Sequence, residues 1–156
     1  MATLKAWLAK LKPLGKKLIF KGIMTAEDAA KALELGADAI WISNRQGMMQ
    51  DTVASSINVL KKVSKVVKEL NPEVPVLFDG GVRRGSDMIK ALALGADFCF
   101  IGQPAIWALQ QAGSEGVNYM LEILKKEMEG NMILLDTLNV DQISEERNIA
   151  KIRPRL

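Results

Sequence analysis

The stretch Asp79-Gly80-Gly81-Val82-Arg83-Arg84-Gly85 decides how the chain is read. It follows an apolar run, Val74 to Phe78, and precedes a helical pattern, Ser86 to Leu94. A strand, a glycine turn and a helix start therefore meet at one point. Without a Cβ, Gly80 and Gly81 reach backbone angles closed to other residues and let a ligand approach the main chain. The free N–H groups of the turn and of the next helix favour an anion. Arg83 and Arg84 add positive charge, and a guanidinium can grip a phosphate through two hydrogen bonds. Two readings fit the stretch: a phosphate cradle at a strand end, or an ordinary βα turn carrying two exposed arginines.

The flanking sequence repeats this grammar. Leu18 to Phe20, Ala39 to Ile42, Val74 to Phe78 and Phe98 to Ile101 are short apolar strands. Between them lie helical patterns. Residues 4–12 place Leu4, Trp7, Leu8 and Leu11 on one face. Thr25 caps a helix that carries Glu27 and Asp28 in its first turn and stops at Gly36. Thr52 to Leu70 is apolar at helical spacing, and a polar loop from Ser43 to Asp51 precedes it. Trp107 and Leu109 begin another helical region, and Val117 to Met128 turns Met120, Leu121, Leu124 and Met128 inward. Alternating short strands and helices argue for a parallel sheet with helices outside it.

Two segments are near copies. Glu27–Ser43 reads EDAAKALELGADAIWIS and Ser86–Gly102 reads SDMIKALALGADFCFIG. They agree at Asp28/Asp87, Lys31/Lys90, Ala32/Ala91, Leu33/Leu92, Leu35/Leu94, Gly36/Gly95, Ala37/Ala96, Asp38/Asp97 and Ile42/Ile101. Two βαβ units built alike suggest a rotationally repeated fold, with the (β/α)8 barrel as leading candidate and an open doubly wound sheet as the other. A whole barrel needs about 250 residues, and this chain has 156. It is therefore read as a (β/α)4 half of a TIM barrel over residues 1–135, with a polar tail over 136–156 that includes a short helix near Val140 to Glu146. Four strands leave two bare edges, which proteins rarely tolerate. The expected partner is a copy of the chain or a complementary N-terminal half-barrel.

Composition limits the function classes. A net charge of +3 with interspersed signs is too mild to argue for nucleic acid. The chain has no histidine, which removes the commonest acid–base group and metal ligand, and no metal site is expected. Cys99 is the only cysteine and reads as a small core residue. No apolar run reaches spanning length and no secretory pattern opens the sequence, so a cytoplasmic location is expected. The final Pro154-Arg155-Leu156 is loosely similar to a peroxisomal address and supplies the alternative. Lys21, at a strand end, reads by itself as a snorkelling surface lysine.

The runs LIFKGIMTAEDAAKA, GADAIWISN, VLFDGGVRRGSDMIKALALGADFCFIGQP and GVNYMLEILKKEM resemble the C-terminal half of the FMN-dependent α-hydroxy-acid oxidases and dehydrogenases. The resemblance covers roughly Leu4 to Leu135. It implies that Lys21 and Ser43 contact a flavin. It also implies that the turn Asp79, Gly80, Gly81, Val82 and Arg83 holds the FMN phosphate. The family completes the phosphate site with a Gly-Arg pair that here reads Gly102-Gln103, which weakens the expected FMN affinity and leaves phosphate or sulfate as simpler ligands.

The loop after the second strand departs from the family pattern Ser-Asn-His-Gly-Gly-Arg-Gln-Leu-Asp. Here it reads Ser43-Asn44-Arg45-Gln46-Gly47-Met48-Met49-Gln50-Asp51. The resemblance thus places Arg45 where the family has its catalytic base and Met48 where it holds the substrate carboxylate. Asp51 remains as the orienting partner of an absent histidine. Arginine stays protonated and cannot take up a proton near neutral pH. The implied function is the FMN- and phosphate-binding half of an L-2-hydroxy-acid oxidase, inactive alone. The alternative is a non-catalytic assembly or regulatory module that uses the half-barrel edges.

Overall fold

A computed structural model describes residues 2–143. Strands β1 (Ile19–Ile23), β2 (Ala39–Ile42), β3 (Val76–Phe78) and β4 (Phe98–Cys99) pair in parallel in the order β1-β2-β3-β4. Helices α1 (Ala2–Leu11), α2 (Ala26–Glu34), α3 (Ser56–Leu70), α4 (Gly85–Ala93) and α5 (Gln103–Leu134) alternate with them. This is the expected (β/α)4 half of a TIM barrel. Among the described residues no helix is long and apolar enough to cross a membrane.

The strands have two unlike faces. Phe20, Ile40, Ile42, Val76, Phe78 and Cys99 point toward the helices and pack with Ala29, Ala32, Leu60, Val63, Val67, Ile89 and Ala91. Ile40, Ile42, Val76 and Phe78 are essentially inaccessible, and each fully buried side chain of this size contributes about 1.5–3 kcal/mol. The alternate residues Ile19, Lys21, Ala39, Trp41, Leu77, Asp79, Phe98 and Phe100 turn to the other face. Ile19 and Phe98 remain 51% and 58% exposed there.

The sequence repeat is a structural one, closed by the same clasp twice. The Asp38 N–H donates to Leu18 O at 2.8 Å, and the Asp38 carboxylate accepts from the Leu18 N–H at 2.8 Å. The Asp97 N–H donates to Val76 O at 2.8 Å, and the Asp97 carboxylate accepts from the Val76 N–H at 2.6 Å. A lysine pairs with each carboxylate, Lys17 with Asp38 at 2.8 Å and Lys68 with Asp97 at 2.9 Å. The clasp ties the start of one strand to the residue preceding the next, so each βαβ unit closes on itself.

Several boundaries shift from expectation. β1 does not close at Lys21-Gly22 but runs on to Ile23, with a register slip between Lys21 and Ile23 that Gly22 accommodates at φ 96°. β3 begins at Val76 and β4 ends at Cys99. The third helix starts at Ser56, because Thr52 sits at φ 61° and cannot continue a right-handed helix. Helix α5 is one element interrupted at Ala112–Gly113, where Gly113 adopts φ 58° and ψ −145°. Trp7 and Leu121 were expected inside but are exposed. The Leu4 side chain, the stretch Ser144 to Glu146 and the terminal Pro154-Arg155-Leu156 lie outside the described residues. A 3-10 turn covers Val140–Gln142, and Ile143 joins the core.

Candidate functional site

The C-terminal ends of the strands open into a cleft of about 470 Å³. Of the residues singled out by sequence, Lys21, Ser43, Arg45, Met48, Asp79, Gly80, Gly81, Val82, Arg83, Gly102 and Gln103 all line it. Topology explains the convergence, since residues at equivalent ends of parallel strands and the turns after them must lie at one rim. Asp51 is the exception. Its carboxylate accepts from the Thr52 N–H at 2.9 Å, and it does not line the cleft.

Charge at the floor is paired. Lys21 Nζ lies 2.8 Å from Asp79 Oδ2 and 3.7 Å from the centre of the Trp41 ring. Trp41 in turn packs against Phe100, with ring centres 4.3 Å apart and planes tilted by 31°. Trp41 Nε1 is buried and has no hydrogen-bond partner among the described residues. Arg83 leans toward Trp107, its guanidinium carbon 5.7 Å from the ring centre. Phe100 is a functional candidate that sequence reasoning missed, and Trp41, which the sequence favours as a core or interface residue over a flavin stacker, lines the cleft as well. Period two from Ser43 places Trp41 on the cleft side, but an all-apolar strand hides which face is which.

The glycine turn has the geometry of a cradle over a shorter span than expected. Gly80 and Gly81 adopt φ 103° and 86°. A Cβ on Gly80 would come within 2.7 Å of Ser56 Oγ, whereas one on Gly81 would meet nothing within 4 Å. The N–H groups of Gly80, Gly81 and Val82 make no hydrogen bond among the described residues. Most donors at the start of α4 are already taken. Asp87 Oδ2 accepts from the N–H of Arg83 at 3.1 Å and of Arg84 at 3.0 Å, and Glu127 Oε2 accepts from the Gly85 N–H at 2.8 Å. Arg84 pairs with Glu127 at 3.2 Å. The expectation that the next helix contributes open N–H donors holds only for Ser86, whose N–H makes no hydrogen bond among the described residues, while carboxylates take the N–H groups of Arg83, Arg84 and Gly85 and Arg84 points to α5. An anion at this turn meets three main-chain donors and Arg83.

The loop after β2 is held in strained backbone. Arg45 and Gln46 adopt φ 50° and 61°, unusual for non-glycine residues. The Ser43 hydroxyl, buried, accepts from the Arg45 N–H at 3.2 Å, and Asn44 Oδ1 accepts from the Gln46 N–H at 3.2 Å. The Asn44 N–H donates to Ser56 Oγ at 2.9 Å, tying the loop to α3 beside Gly80. Met48 and Met49 project from the rim, 80% and 73% exposed. Cys99 stands apart from this chemistry, because burial pushes its thiol up to about 11.

The donor set suits a phosphorylated aromatic group: bare N–H groups and a guanidinium at one end, two aromatic rings and a lysine at the other. Known proteins are similar to the chain over most of its length. The 2-hydroxyacid oxidase of Dictyostelium discoideum is 43% identical over 138 residues, which are 88% of this chain and 34% of that protein. A peroxisomal (S)-2-hydroxyacid oxidase of Arabidopsis thaliana is 44% identical over 88% of this chain and 37% of its own length. A crystal structure of a Pediococcus acidilactici lactate oxidase superposes with a TM-score of 0.83 at 37% identity, covering 90% of this chain and 38% of that one. The chain thus spans little more than a third of the relatives it matches. The sequence pattern of FMN-dependent dehydrogenases matches residues 4–150, and the chain belongs to that family.

Proposed function

We propose that this chain forms the FMN-phosphate-holding half of a 2-hydroxy-acid oxidase barrel and turns over no substrate by itself. The observation that carries the reading is the convergence of Gly80, Gly81, Val82, Arg83 and Lys21 on one cleft. FMN, when bound, would supply the two-electron acceptor for oxidising a 2-hydroxy acid. Asp79, Gly102, Gln103 and Ser43 line the same cleft and would complete the cofactor contacts. The main-chain donors and Arg83 would hold the phosphate, and Lys21 would favour negative charge at the far end.

The substrate side is where the reading predicts inactivity. The chain contains no histidine. Arg45 stays charged and cannot accept a proton. Met48 offers no charge to a carboxylate. Together with Gln103, these two residues also favour the second reading, a non-catalytic assembly or regulatory module that uses the half-barrel edges to bind a partner. The name of the Arabidopsis relative supports a peroxisomal setting as the alternative to a cytoplasmic one.

The test is a flavin titration followed by visible absorbance, run with FMN and with riboflavin, which lacks the phosphate. The expected result is binding of FMN, weaker binding of riboflavin, and loss of the difference in Arg83→Ala. Equal affinity for both flavins, or no shift with FMN, overturns the proposal.

A further inference from the structure

We propose that Ser56 is a positioning residue that couples the glycine turn at Gly80 to the loop after β2, so that an anion held at the turn also fixes Arg45 and Gln46. The inference rests on the anion-binding reading of that turn.

Turn and loop leave adjacent strands. The Asp79 N–H donates to Ile42 O at 3.1 Å, which holds the end of β3 beside the end of β2. Ser56 is the first residue of α3 and is wholly buried. Neither Ser56 nor Asn44 lines the cleft. The Ser56 Oγ accepts from the Asn44 N–H at 2.9 Å. Gly80 closes against the same two side chains. A Cβ on Gly80 would lie 2.7 Å from Ser56 Oγ and 3.0 Å from Asn44 Oδ1. The turn thus rests on two polar atoms with no slack, and close packing of this kind transmits a displacement instead of absorbing it.

Asn44 carries the contact into the loop. Its Oδ1 accepts from the Gln46 N–H at 3.2 Å, and its Nδ2 donates to Ala54 O at 3.4 Å. Arg45 and Gln46 hold φ 50° and 61°, conformations that persist only where the surroundings enforce them. The bonds that enforce them run from the Arg45 N–H to Ser43 Oγ and from the Gln46 N–H to Asn44 Oδ1. Taking away the Ser56 hydroxyl removes one of the anchors of Asn44, and with it the contact to Gly80. Arg45, Gln46 and Met48 line the same cleft as Gly80 and Gly81. A phosphate on the turn therefore orders the loop through a side chain that it does not touch. Threonine at this position keeps an acceptor for the Asn44 N–H, and alanine does not.

The experiment follows amide hydrogen exchange of the full chain by nuclear magnetic resonance, with and without inorganic phosphate, and calorimetry on the same samples reports binding. The Asp28 N–H, held by Thr25 at the start of α2, is the reference. In the parent chain, phosphate is expected to slow exchange at Arg45 and Gln46 roughly fivefold, the worth of one net hydrogen bond, and to leave Asp28 unchanged. In Ser56→Ala the two loop amides are expected to exchange roughly fivefold faster without phosphate and to lose their response to it, while Ser56→Thr keeps the response. Phosphate that binds the parent chain without slowing Arg45 and Gln46 would overturn this inference and leave the anion-binding turn standing. So would a Ser56→Ala chain that responds as the parent does. Absence of phosphate binding to the parent chain would overturn both.

Discussion

Lys21 stands on the first strand and Asp79 directly after the third, yet their charged atoms meet at 2.8 Å across the face of Trp41. The pair bridges over β2 and draws the floor of the cleft together. It also sets the charge an incoming anion meets. Lys21, Arg45 and Arg83 supply three positive charges around the cleft and Asp79 one negative. The lysine is nearly half exposed, so its direct contribution to stability is about 1 kcal/mol or less. Its consequence is for ligand affinity.

Asp79→Asn is therefore expected to tighten inorganic phosphate. By Coulomb's law two unit charges about 7 Å apart in water interact by about 0.6 kcal/mol, so an effect of roughly threefold in affinity is expected. Calorimetric titration at low salt reads the change, and added salt should shrink it. Weaker phosphate binding in Asp79→Asn would mean that the carboxylate shapes the turn more than it repels the ligand.

Gly85→Ala probes the seat of α4 on α5. A Cβ at Gly85 would run into the backbone N of Met128 and come within 2.7 Å of Glu127. Backbone yields less readily than a side-chain tip, so a loss of about 3 kcal/mol is expected, a fall in Tm of roughly 6–12 °C for a chain of this size. An unchanged Tm would contradict the close packing of these helices. The same substitution at Gly81 meets no neighbour but faces an unfavourable φ of 86°, so it separates backbone strain from collision.

Much of this arrangement could be read from the sequence, and what could not has a common cause. The strands, the Thr25 cap on α2 and the glycine stops are local signals, and the Thr25 hydroxyl does accept from the Asp28 N–H at 3.1 Å. The Asp38 and Asp97 clasps explain why the repeat retains those residues, although the repeat alone did not reveal their hydrogen bonds. The misreadings are non-local. Nothing near Gly85 announces that Glu127, 42 positions later, fills its N–H. Trp7 lies on an apolar face of α1 and is nonetheless 61% exposed among the described residues. Trp41 lies in a run apolar on both faces, so pattern could not place it at the cleft.

Cys99 is expected to be inert in the folded chain. Burial pushes its thiol up to about 11, so the reactive thiolate is scarce at pH 8. Labelling by a thiol reagent should be roughly 100-fold slower than in urea-unfolded chain, following the two-unit difference in pKa. The sign of the linked stability follows. The folded value lies above the unfolded one, so this stabilisation is full below about pH 9 and is lost as pH rises toward 11. Rapid labelling of native protein at pH 8 would show that the strand β4 edge opens freely.

The last expectation concerns turnover. General-base catalysis typically supplies about 10²–10⁴ in rate and needs a group able to accept a proton near working pH. Arg45 cannot, and Met48 has no charge with which to orient a substrate carboxylate. The chain with FMN is therefore expected to oxidise no glycolate, lactate or mandelate above background. Arg45→His with Met48→Arg is not expected to rescue it alone, because four strands provide only half of a barrel's rim. The same double variant mixed with a complementary half-barrel from an active relative separates the two losses: activity there, and none with the unmodified chain, assigns the defect to the loop. Turnover by the unmodified chain alone, abolished by Lys21→Ala so that a contaminant is excluded, would show instead that this cleft finds its proton acceptor elsewhere.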